Sequence, residues 1–305
     1  MWAIIDIGSN TVRLVVYTLE NGKINPMLNK KYSAALAGYV DGNGMIKDEG
    51  IQKLLSILLE IRKILSYISV KEVFPFATAS LRNSVNGREI VSLIREKCGF
   101  DVRILTGKEE AVFDYYGVIG KDYANNGIVV DVGGGSTELT FFKGDTIITA
   151  TSIPLGSLQL YKTFVDGIIP NEKEAKKIKK EVRGFLEEIV VPDDITQTET
   201  IYSVGGTARA SLRVINEIYA RPENSVSYTR NELKHFLSDV NDRPEKMLKS
   251  ISLCEPDRIH TIIPGLLIFE TISKFYDSKD FIISDYGVRE GFLTHMLKEK
   301  GELHA

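Results

Sequence analysis

Apolar stretches of strand length recur along the chain and alternate with longer segments of helical periodicity. Residues 3–7 and 12–19 are apolar runs that predict two strands. Residues 51–68 place isoleucine and leucine at helical spacing and predict a helix. Residues 128–153 again hold apolar runs separated by short polar turns. Because strands that alternate with helices are typical of parallel pairing, the pattern predicts an α/β fold in each half of the chain.

The remaining elements follow a similar order in both halves. The first half is predicted to continue with a strand at 70–76, a helix at 88–98, a strand at 101–105 and a helix at 109–119. The second half is predicted to hold strands at 128–132, 137–142, 146–153, 200–204 and 280–284, and helices at 172–191, 208–219, 259–276 and 288–300. Two polar segments are predicted to be a domain boundary and a surface loop, at 121–127 and 221–232 respectively.

One short pattern occurs twice, as DIGSNTVRL at 6–14 and DVGGGSTEL at 131–139. The copies align at one offset, since Asp131 falls on Asp6 (131 − 6 = 125). Each copy predicts a strand that ends in aspartate, a glycine-containing tip and a second strand. Glycine at such a tip permits a positive φ and lets a ligand approach the backbone. Successive N–H groups can then bind phosphate, and the aspartate can hold a divalent cation.

The glycines fit two other phosphate-binding motifs poorly. Gly133 and Gly135 resemble the start of a dinucleotide fingerprint, but that motif requires a helix next, whereas residues 137–142 predict a strand. The sequence contains no P-loop motif. A tight hairpin without a ligand would explain one copy, but two matched copies, each with an aspartate, favour a binding role.

Composition narrows the class of protein further. The chain has 305 residues, enough for two domains, and a net charge of −3 (38 − 41), which does not favour a nucleic-acid partner. The two distant cysteines suggest free thiols in the cytoplasm, and the four histidines match no zinc spacing. We expect no membrane-spanning helix and no secretion leader, since neither a run of about 18 apolar residues nor a charged leader is present.

Seven motifs in order make the chain similar to the exopolyphosphatase and guanosine-pentaphosphate phosphohydrolase family. They are the two repeated segments and FATASLRNSVNG, TGKEEA, SVGGTAR, IIPGLLI and SDYGVREG. The resemblance implies two ribonuclease-H-like domains of the actin-like ATPase type, facing across a cleft. It implies an N-terminal domain at 1–122, a C-terminal domain at 123–289, and a last helix at about 290–305 that packs back on the first.

The same resemblance implies roles for individual residues. Glu110 would be the general base, with Glu109 as the other candidate, and Val112 stands where the family has arginine. The implied substrate-binding residues are Ser9, Asn10, Arg82, Gly133, Gly134, Gly135, Ser136, Thr137 and Arg209. The implied ligands of a divalent cation, Mg²⁺, are Asp6, Asp131 and Glu138. Arginine suits the binding of phosphate oxygens because its guanidinium donates two parallel hydrogen bonds.

These residues predict a phosphoanhydride hydrolase, an exopolyphosphatase that releases terminal phosphate from inorganic polyphosphate. One alternative is a guanosine-pentaphosphate (pppGpp) 5′-phosphohydrolase on the same machinery, although no sequence feature indicates a base pocket. Two further alternatives are a phosphotransferase and a non-catalytic sensor of polyphosphate or nucleotide. The resemblance also implies a homodimer. The cysteines, the net charge and the lack of a long apolar run predict a cytoplasmic protein with neither a nucleic-acid nor a membrane partner.

Overall fold

The computed structural model describes residues 1–20, 22–119, 126–192, 198–222 and 224–303. The chain divides into an N-terminal unit, Met1–Glu110 with Arg289–Ala305, and a C-terminal unit, Ala111–Val288. Both divisions fall inside helices. Within the described residues, no helix combines the length and the apolar composition needed to cross a membrane.

The N-terminal unit is built on a five-stranded sheet with the order β3-β2-β1-β4-β5. Its strands are β1 (Trp2–Ile7), β2 (Thr11–Glu20), β3 (Lys23–Ser33), β4 (Glu72–Ala77) and β5 (Arg103–Ile104). The first three strands are antiparallel, whereas β4 and β5 continue the sheet in parallel. The helices that carry residues of this unit are α1 (Asp48–Leu65), α2 (Ala79–Arg82), α3 (Gly87–Cys98), α4 (Gly107–Val118) and α11 (Val288–Glu299).

The C-terminal unit repeats this topology on a six-stranded sheet with the order β10-β11-β9-β6-β7-β8. Its strands are β6 (Asn126–Val132), β7 (Thr137–Lys143), β8 (Thr146–Ile153), β9 (Thr200–Val204), β10 (Ser227–Thr229) and β11 (Asp280–Ile283). Its helices are α5 (Ser157–Phe164), α6 (Glu172–Glu187), α7 (Gly205–Ile218), α8 (Arg230–Asp242), α9 (Pro244–Cys254) and α10 (Ile262–Phe275). From β8 to β11 the order matches the N-terminal sheet, so the predicted α/β fold in two similar halves is confirmed.

Each unit has its own apolar core, formed where helices cover the sheet. Helix α1 buries Leu54, Leu58 and Ile61, which recur every three or four residues on one face. Strands at the centre of each sheet, such as β1, are apolar on both faces because both are covered. The buried apolar runs of β1 and β6 each end close to a partly buried aspartate, Asp6 or Asp131.

Three sequence predictions differ from the structure. The segment 221–232 is not all surface loop, since Tyr228 in β10 is 1% exposed and Thr229 caps α8 with Glu232. Helices α5, α8 and α9 were not predicted, although α8 has a local signal, since its apolar residues recur every three or four positions after the Thr229–Glu232 capping box. The predicted helix at 259–276 begins later, at Ile262, after a 3-10 turn over Pro256–Arg258.

The domain limits remain a prediction. Contacts divide the chain after Glu110, whereas the sequence suggested a boundary after residue 122. The predicted linker at 121–127 falls largely on residues 121–125, which lie outside the described residues. The segment from Arg289 onward groups with the N-terminal unit.

Candidate active site

The two copies of the repeated pattern form hairpins with the same register. In the N-terminal unit Asp6 pairs across the strands with Arg13, and in the C-terminal unit Asp131 pairs with Glu138. The turns also match: the Gly8 N–H donates to the Thr11 carbonyl at 2.9 Å, and the Gly133 N–H donates to the Ser136 carbonyl at 3.0 Å. The repeat in sequence is therefore a repeat in geometry.

Glycine at the start of each tip is favoured by a tight contact and not by a left-handed backbone. Neither Gly8 nor Gly133 has a positive φ, contrary to the expectation from the sequence. A Cβ at Gly8 would lie 3.3 Å from the Thr11 carbonyl oxygen, and one at Gly133 would lie 3.1 Å from that of Ser136. A side chain at either position would therefore require the turn's own carbonyl to shift by a few tenths of an ångström.

The C-terminal tip presents unpaired backbone donors. Within the described residues, the N–H groups of Gly134 and Gly135 have no hydrogen-bond partner. Ser136 is buried beside them, while Thr137 does not join the tip: its hydroxyl donates to the Leu155 carbonyl at 2.6 Å and its side chain is fully buried. Two neighbouring N–H groups without partners form a site that suits a phosphate oxygen.

The Asp131–Glu138 pair places two carboxylates on one face of the sheet. Directly opposed residues of antiparallel strands have Cβ atoms about 4.5–5.5 Å apart, and like charges there are destabilising. Glu138 is 2% exposed and accepts a hydrogen bond from the Ser152 hydroxyl at 2.7 Å. Such a pair suits a divalent cation, which would neutralise both groups with the oxygen ligands it prefers.

The matching position of the N-terminal unit has a cross-strand partner of the opposite charge. Asp6 faces Arg13 across the hairpin and also accepts a hydrogen bond from Arg289 Nη1 at 3.3 Å. Burial raises the pKa of Asp6, and the charges of Arg289 and Arg13 oppose that rise. Asp6 therefore faces a cation across its hairpin where Asp131 faces a second carboxylate, and the charge of Arg258 acts on Asp131 from outside the hairpin. Within the described residues, no group of three or more His, Cys, Asp or Glu side chains could hold a metal ion.

Replacement of Asp6 by asparagine should lower the stability of the chain. The substitution removes the ion pair between Asp6 and the Arg289 guanidinium. Within the described residues, Nε of Arg289 already has no hydrogen-bond partner. We expect a loss of about 1–3 kcal/mol in the free energy of unfolding. Urea denaturation measures the change, and the double variant with Arg289→Met should recover part of it. A stability equal to that of the unchanged chain would contradict a structural ion pair.

Arg82 and Glu110, 28 residues apart in sequence, meet in the N-terminal unit. Helix α2 follows β4 and ends at Arg82, while Glu110 lies in the first turn of α4. Arg82 Nη1 donates to Glu110 Oε2 at 2.7 Å and to the Leu105 carbonyl at 3.2 Å. Both side chains of the pair are mostly buried, with 18% and 9% exposed. A carboxylate beside a guanidinium combines a proton acceptor with a phosphate-binding group.

The neighbouring Glu109 has a structural role. Its carboxylate accepts hydrogen bonds from the N–H and the hydroxyl of Thr106, each at 2.8 Å, and forms an ion pair with Arg103. Burial raises the pKa of Glu109, but the hydrogen bonds and the Arg103 charge outweigh burial. The pKa of Glu109 is therefore below its ordinary value. Glu109 therefore caps α4, and Glu110 is the glutamate that contacts the predicted phosphate-binding arginine.

A model of the Ppx/GppA phosphatase family matches residues 15–300 of the chain. The chain belongs to that family. Exopolyphosphatase 1 of Mycobacterium tuberculosis is 26% identical over 98% of this chain and 89% of its own length. The bifunctional 3-dehydroquinate synthase/phosphatase of Fusobacterium nucleatum is 28% identical over 92% of this chain, which spans 44% of that relative's length. The predicted family and the predicted class of enzyme, a phosphoanhydride hydrolase, are thus confirmed.

Solved structures of Ppx/GppA proteins share the fold. The crystal structure of the Aquifex aeolicus family member superposes with a TM-score of 0.81 at 26% identity and covers 100% of this chain and 99% of that one. An exopolyphosphatase from Cytophaga hutchinsonii superposes with a TM-score of 0.84 at 20% identity, over 98% of each chain. The second likeness concerns the fold alone.

Two arginines of the C-terminal unit differ in what they contact. Arg209, predicted to bind substrate, donates to the carbonyls of Ser284 and Asp285 at 3.3 and 3.4 Å, so part of its guanidinium supports a loop. Arg258 was not predicted as a site residue. Within the described residues, its guanidinium has no hydrogen-bond partner. Burial lowers the pKa of Arg258, and the charges of Glu255 and Asp131 oppose that effect.

Arg258 lies against the glycine pair that opens α7. A Cβ at Gly206 would lie 2.1 Å from Nη2 of Arg258, and a Cβ at Gly205 would lie 2.1 Å from Oδ1 of Asp131. In the SVGGTAR motif of this Ppx/GppA protein, the side chains of Asp131 and Arg258 therefore occupy the space that a Cβ would need at Gly205 and Gly206. No local pattern marks Arg258, since the contact joins residues that are 52 positions apart (258 − 206).

Proposed function

We propose that this chain is an exopolyphosphatase that releases terminal orthophosphate from inorganic polyphosphate. The observation that carries the proposal is the buried Arg82–Glu110 pair, which joins a proton acceptor to a phosphate-binding cation. Proteins named exopolyphosphatase align with nearly the whole chain, as the Mycobacterium relative does, and this favours polyphosphate over pppGpp as the substrate.

Glu110 would act as the general base in this reaction. A water held by Glu110 gives up its proton to the carboxylate as its oxygen attacks the terminal phosphorus. The bond from that phosphorus to the bridging oxygen breaks, and the shortened polyphosphate leaves with the bridging oxygen and its electron pair. Arg82 donates hydrogen bonds to the phosphate and to Glu110, which orients the carboxylate. Most of the catalytic effect comes from positioning and charge stabilisation, as in phosphoryl transfer generally. Val112 stands in place of the family's arginine and cannot contact phosphate through a charge. Arg82, Arg209 and Arg258 would supply the positive charge instead.

Backbone donors at both tips would bind further phosphates of the chain. Gly134 and Gly135 offer the unpaired N–H groups in the C-terminal unit. Ser9 and Asn10 hold the matching places in the N-terminal unit. Such groups recognise any phosphate alike, which suits a polymer of identical units. Arg258, whose guanidinium lies against Gly206 near Asp131, and Arg209, whose guanidinium contacts the loop at Ser284, would add positive charge.

We further propose that Asp131 and Glu138 hold the divalent cation, with Mg²⁺ as the natural candidate. The paired carboxylates fit such an ion because without it their charges repel. When bound, the ion would neutralise negative charge on the phosphates. Asp6 was predicted as a third ligand, but its contact with Arg289 favours a role in supporting the N-terminal hairpin.

Other proposals stay open to experiment. A pppGpp phosphohydrolase would use the same base, and a phosphotransferase would replace water by an acceptor hydroxyl. A sensor without catalysis is disfavoured because binding alone does not require Glu110. The homodimer and the cytoplasmic location remain predictions that rest on the sequence.

Purified chain should release orthophosphate from long-chain polyphosphate faster than from pppGpp at equal concentrations of terminal phosphate. The reason is that the tips bind repeated phosphates and the sequence shows no base pocket. Phosphate release is measured with both substrates and with tripolyphosphate, in the presence of Mg²⁺. Gel electrophoresis of a partial digest should show long chains retained beside free phosphate. Faster release from pppGpp, or fragments of intermediate length from internal cuts, would refute the proposal.

A further inference from the structure

The C-terminal glycine tip is held by the first turn of α5. The Gly133 carbonyl accepts hydrogen bonds from the N–H and the hydroxyl of Ser157, at 2.9 and 3.0 Å. The Gly134 carbonyl accepts from the N–H groups of Leu158 and Gln159, at 3.1 and 3.0 Å. The N-terminal donors of α5 are therefore used by the tip and are not free to bind an anion.

These bonds determine where the tip's own donors point. In a trans peptide the C=O and the following N–H point in opposite directions. Since the carbonyls of Gly133 and Gly134 point at α5, the N–H groups of Gly134 and Gly135 point away from it. Those are the two N–H groups that lack a partner within the described residues.

Gly156, the residue before α5, makes this arrangement possible. A Cβ at Gly156 would lie 2.3 Å from the carbonyl carbon of Gly134, 2.3 Å from the nitrogen of Gly135 and 2.4 Å from the oxygen of Gly134. The backbone of Gly156 is extended, with φ −124° and ψ 165°, a conformation open to any residue. The position therefore requires glycine for the contact with the tip and not for its own conformation.

The N-terminal unit also holds its tip through backbone carbonyls, but the bonds are shifted by one residue, since Ser9 and Asn10 match Gly134 and Gly135 in the repeat. The Ser9 carbonyl accepts from the Ala37 N–H at 3.0 Å, and the Asn10 carbonyl accepts from the N–H groups of Ala34 and Ala35 at 3.0 and 2.8 Å. In both units the donors come from the segment that follows the third strand of the sheet. Both units therefore fix the tip through the carbonyl shared by the repeat, that of Gly134 or Ser9, while the second held carbonyl differs between them.

We infer that Gly156 and Ser157 are positioning residues for substrate binding. They set the direction of the Gly134 and Gly135 N–H groups and thereby the affinity for a phosphate of the chain. This inference rests on the proposed function, because it assigns the tip to the same phosphate substrate. It extends that function to a segment, 156–159, that touches no substrate itself.

The test compares Gly156→Ala with the matched control Gly184→Ala. A Cβ at Gly184, inside α6, would meet no atom within 4 Å, so this control should keep its KM and fold slightly more stably. Gly156→Ala must displace the Gly134–Gly135 peptide. We expect its KM for tripolyphosphate to rise about 10- to 100-fold, the worth of a hydrogen bond to a charged group, with a smaller change in kcat.

Binding of magnesium tripolyphosphate, measured by calorimetry, separates this inference from the proposed function. The measurement uses Glu110→Gln chains with and without Gly156→Ala, so that turnover does not consume the ligand. Loss of binding in the double variant supports the inference even if the unchanged chain hydrolyses no polyphosphate. Equal affinity in both chains overturns it even if the unchanged chain is an active exopolyphosphatase.

A second variant keeps the test valid if Gly156→Ala does not fold. Ser157→Ala removes only the hydroxyl bond to the Gly133 carbonyl and retains the backbone bond. We expect an affinity loss of about 2- to 5-fold with little change in the melting temperature. An unchanged affinity in Ser157→Ala, together with an unfolded Gly156→Ala, would show that the segment serves folding alone and would overturn the inference.

Discussion

Replacement of Glu110 by glutamine should lower the rate of phosphate release by about 10²- to 10⁴-fold, the usual contribution of a general base. Glutamine keeps the shape of the side chain and can still accept the hydrogen bond from Arg82, but it cannot take a proton from water. Affinity for polyphosphate should persist or rise, because a negative charge near the substrate is removed. Steady-state kinetics with long-chain polyphosphate and calorimetric binding measure the two effects separately.

Glu109→Gln is the matched control for this prediction. The neighbouring glutamate has the same chemistry, but its carboxylate is engaged by Thr106 and Arg103 at the start of α4. We expect a loss of about 1 kcal/mol in stability from the weakened cap, and activity within a few-fold of the unchanged chain. If Glu109→Gln is the inactive variant and Glu110→Gln turns over normally, the assignment of the base is reversed.

Replacement of Glu138 by glutamine should abolish the response to Mg²⁺ while stabilising the chain without metal. The substitution removes the repulsion between the paired carboxylates, so the melting temperature in EDTA should rise. The same substitution removes a ligand, so activity at millimolar Mg²⁺ should fall by at least about 100-fold. Thermal melts with and without Mg²⁺, beside activity titrations with the metal, measure both changes.

Ser152→Ala tests whether the loss comes from the carboxylate itself. Ser152 donates to Glu138 from the adjacent strand, and its removal leaves both acidic groups in place. A few-fold loss in activity with a retained Mg²⁺ response is expected. A Glu138→Gln chain that is still stabilised by Mg²⁺ and still active would place the metal elsewhere. Without metal, Asp6→Asn is expected to lower the stability of the chain, whereas Glu138→Gln is expected to raise it. This difference in sign distinguishes a salt bridge from a pair of carboxylates that binds a metal.

Local patterns in the sequence were sufficient to predict the repeated hairpins. The strand, aspartate and glycine tip lie within nine consecutive residues, and each apolar run has the length of a strand. The single offset of 125 residues between Asp6 and Asp131 then indicated two similar units, as the two sheets confirm. The order of the motifs was also sufficient to identify the family, since order is a property of the sequence alone.

The choice between similar residues depended on tertiary structure. Glu109 and Glu110 are adjacent and chemically alike, but a helix turns successive side chains by about 100°. One therefore reaches back to Thr106 and the other reaches Arg82, which lies beside α4 only because β5 joins the parallel edge of the sheet next to β4. No spacing along the chain reports that pairing.

Contacts across long distances in sequence were likewise beyond prediction. Asp6 meets Arg289, and Gly206 meets Arg258, because the sheet order brings the ends of separate elements together. Helix α5 was missed altogether, although its first turn directs the glycine tip. The sequence by itself determined which strands and tips the chain contains, since those follow from local periodicity and turn chemistry. The tertiary structure alone decided that Asp6 faces Arg13 while Asp131 faces Glu138 and lies near Arg258, because cross-strand register and packing set the local charge.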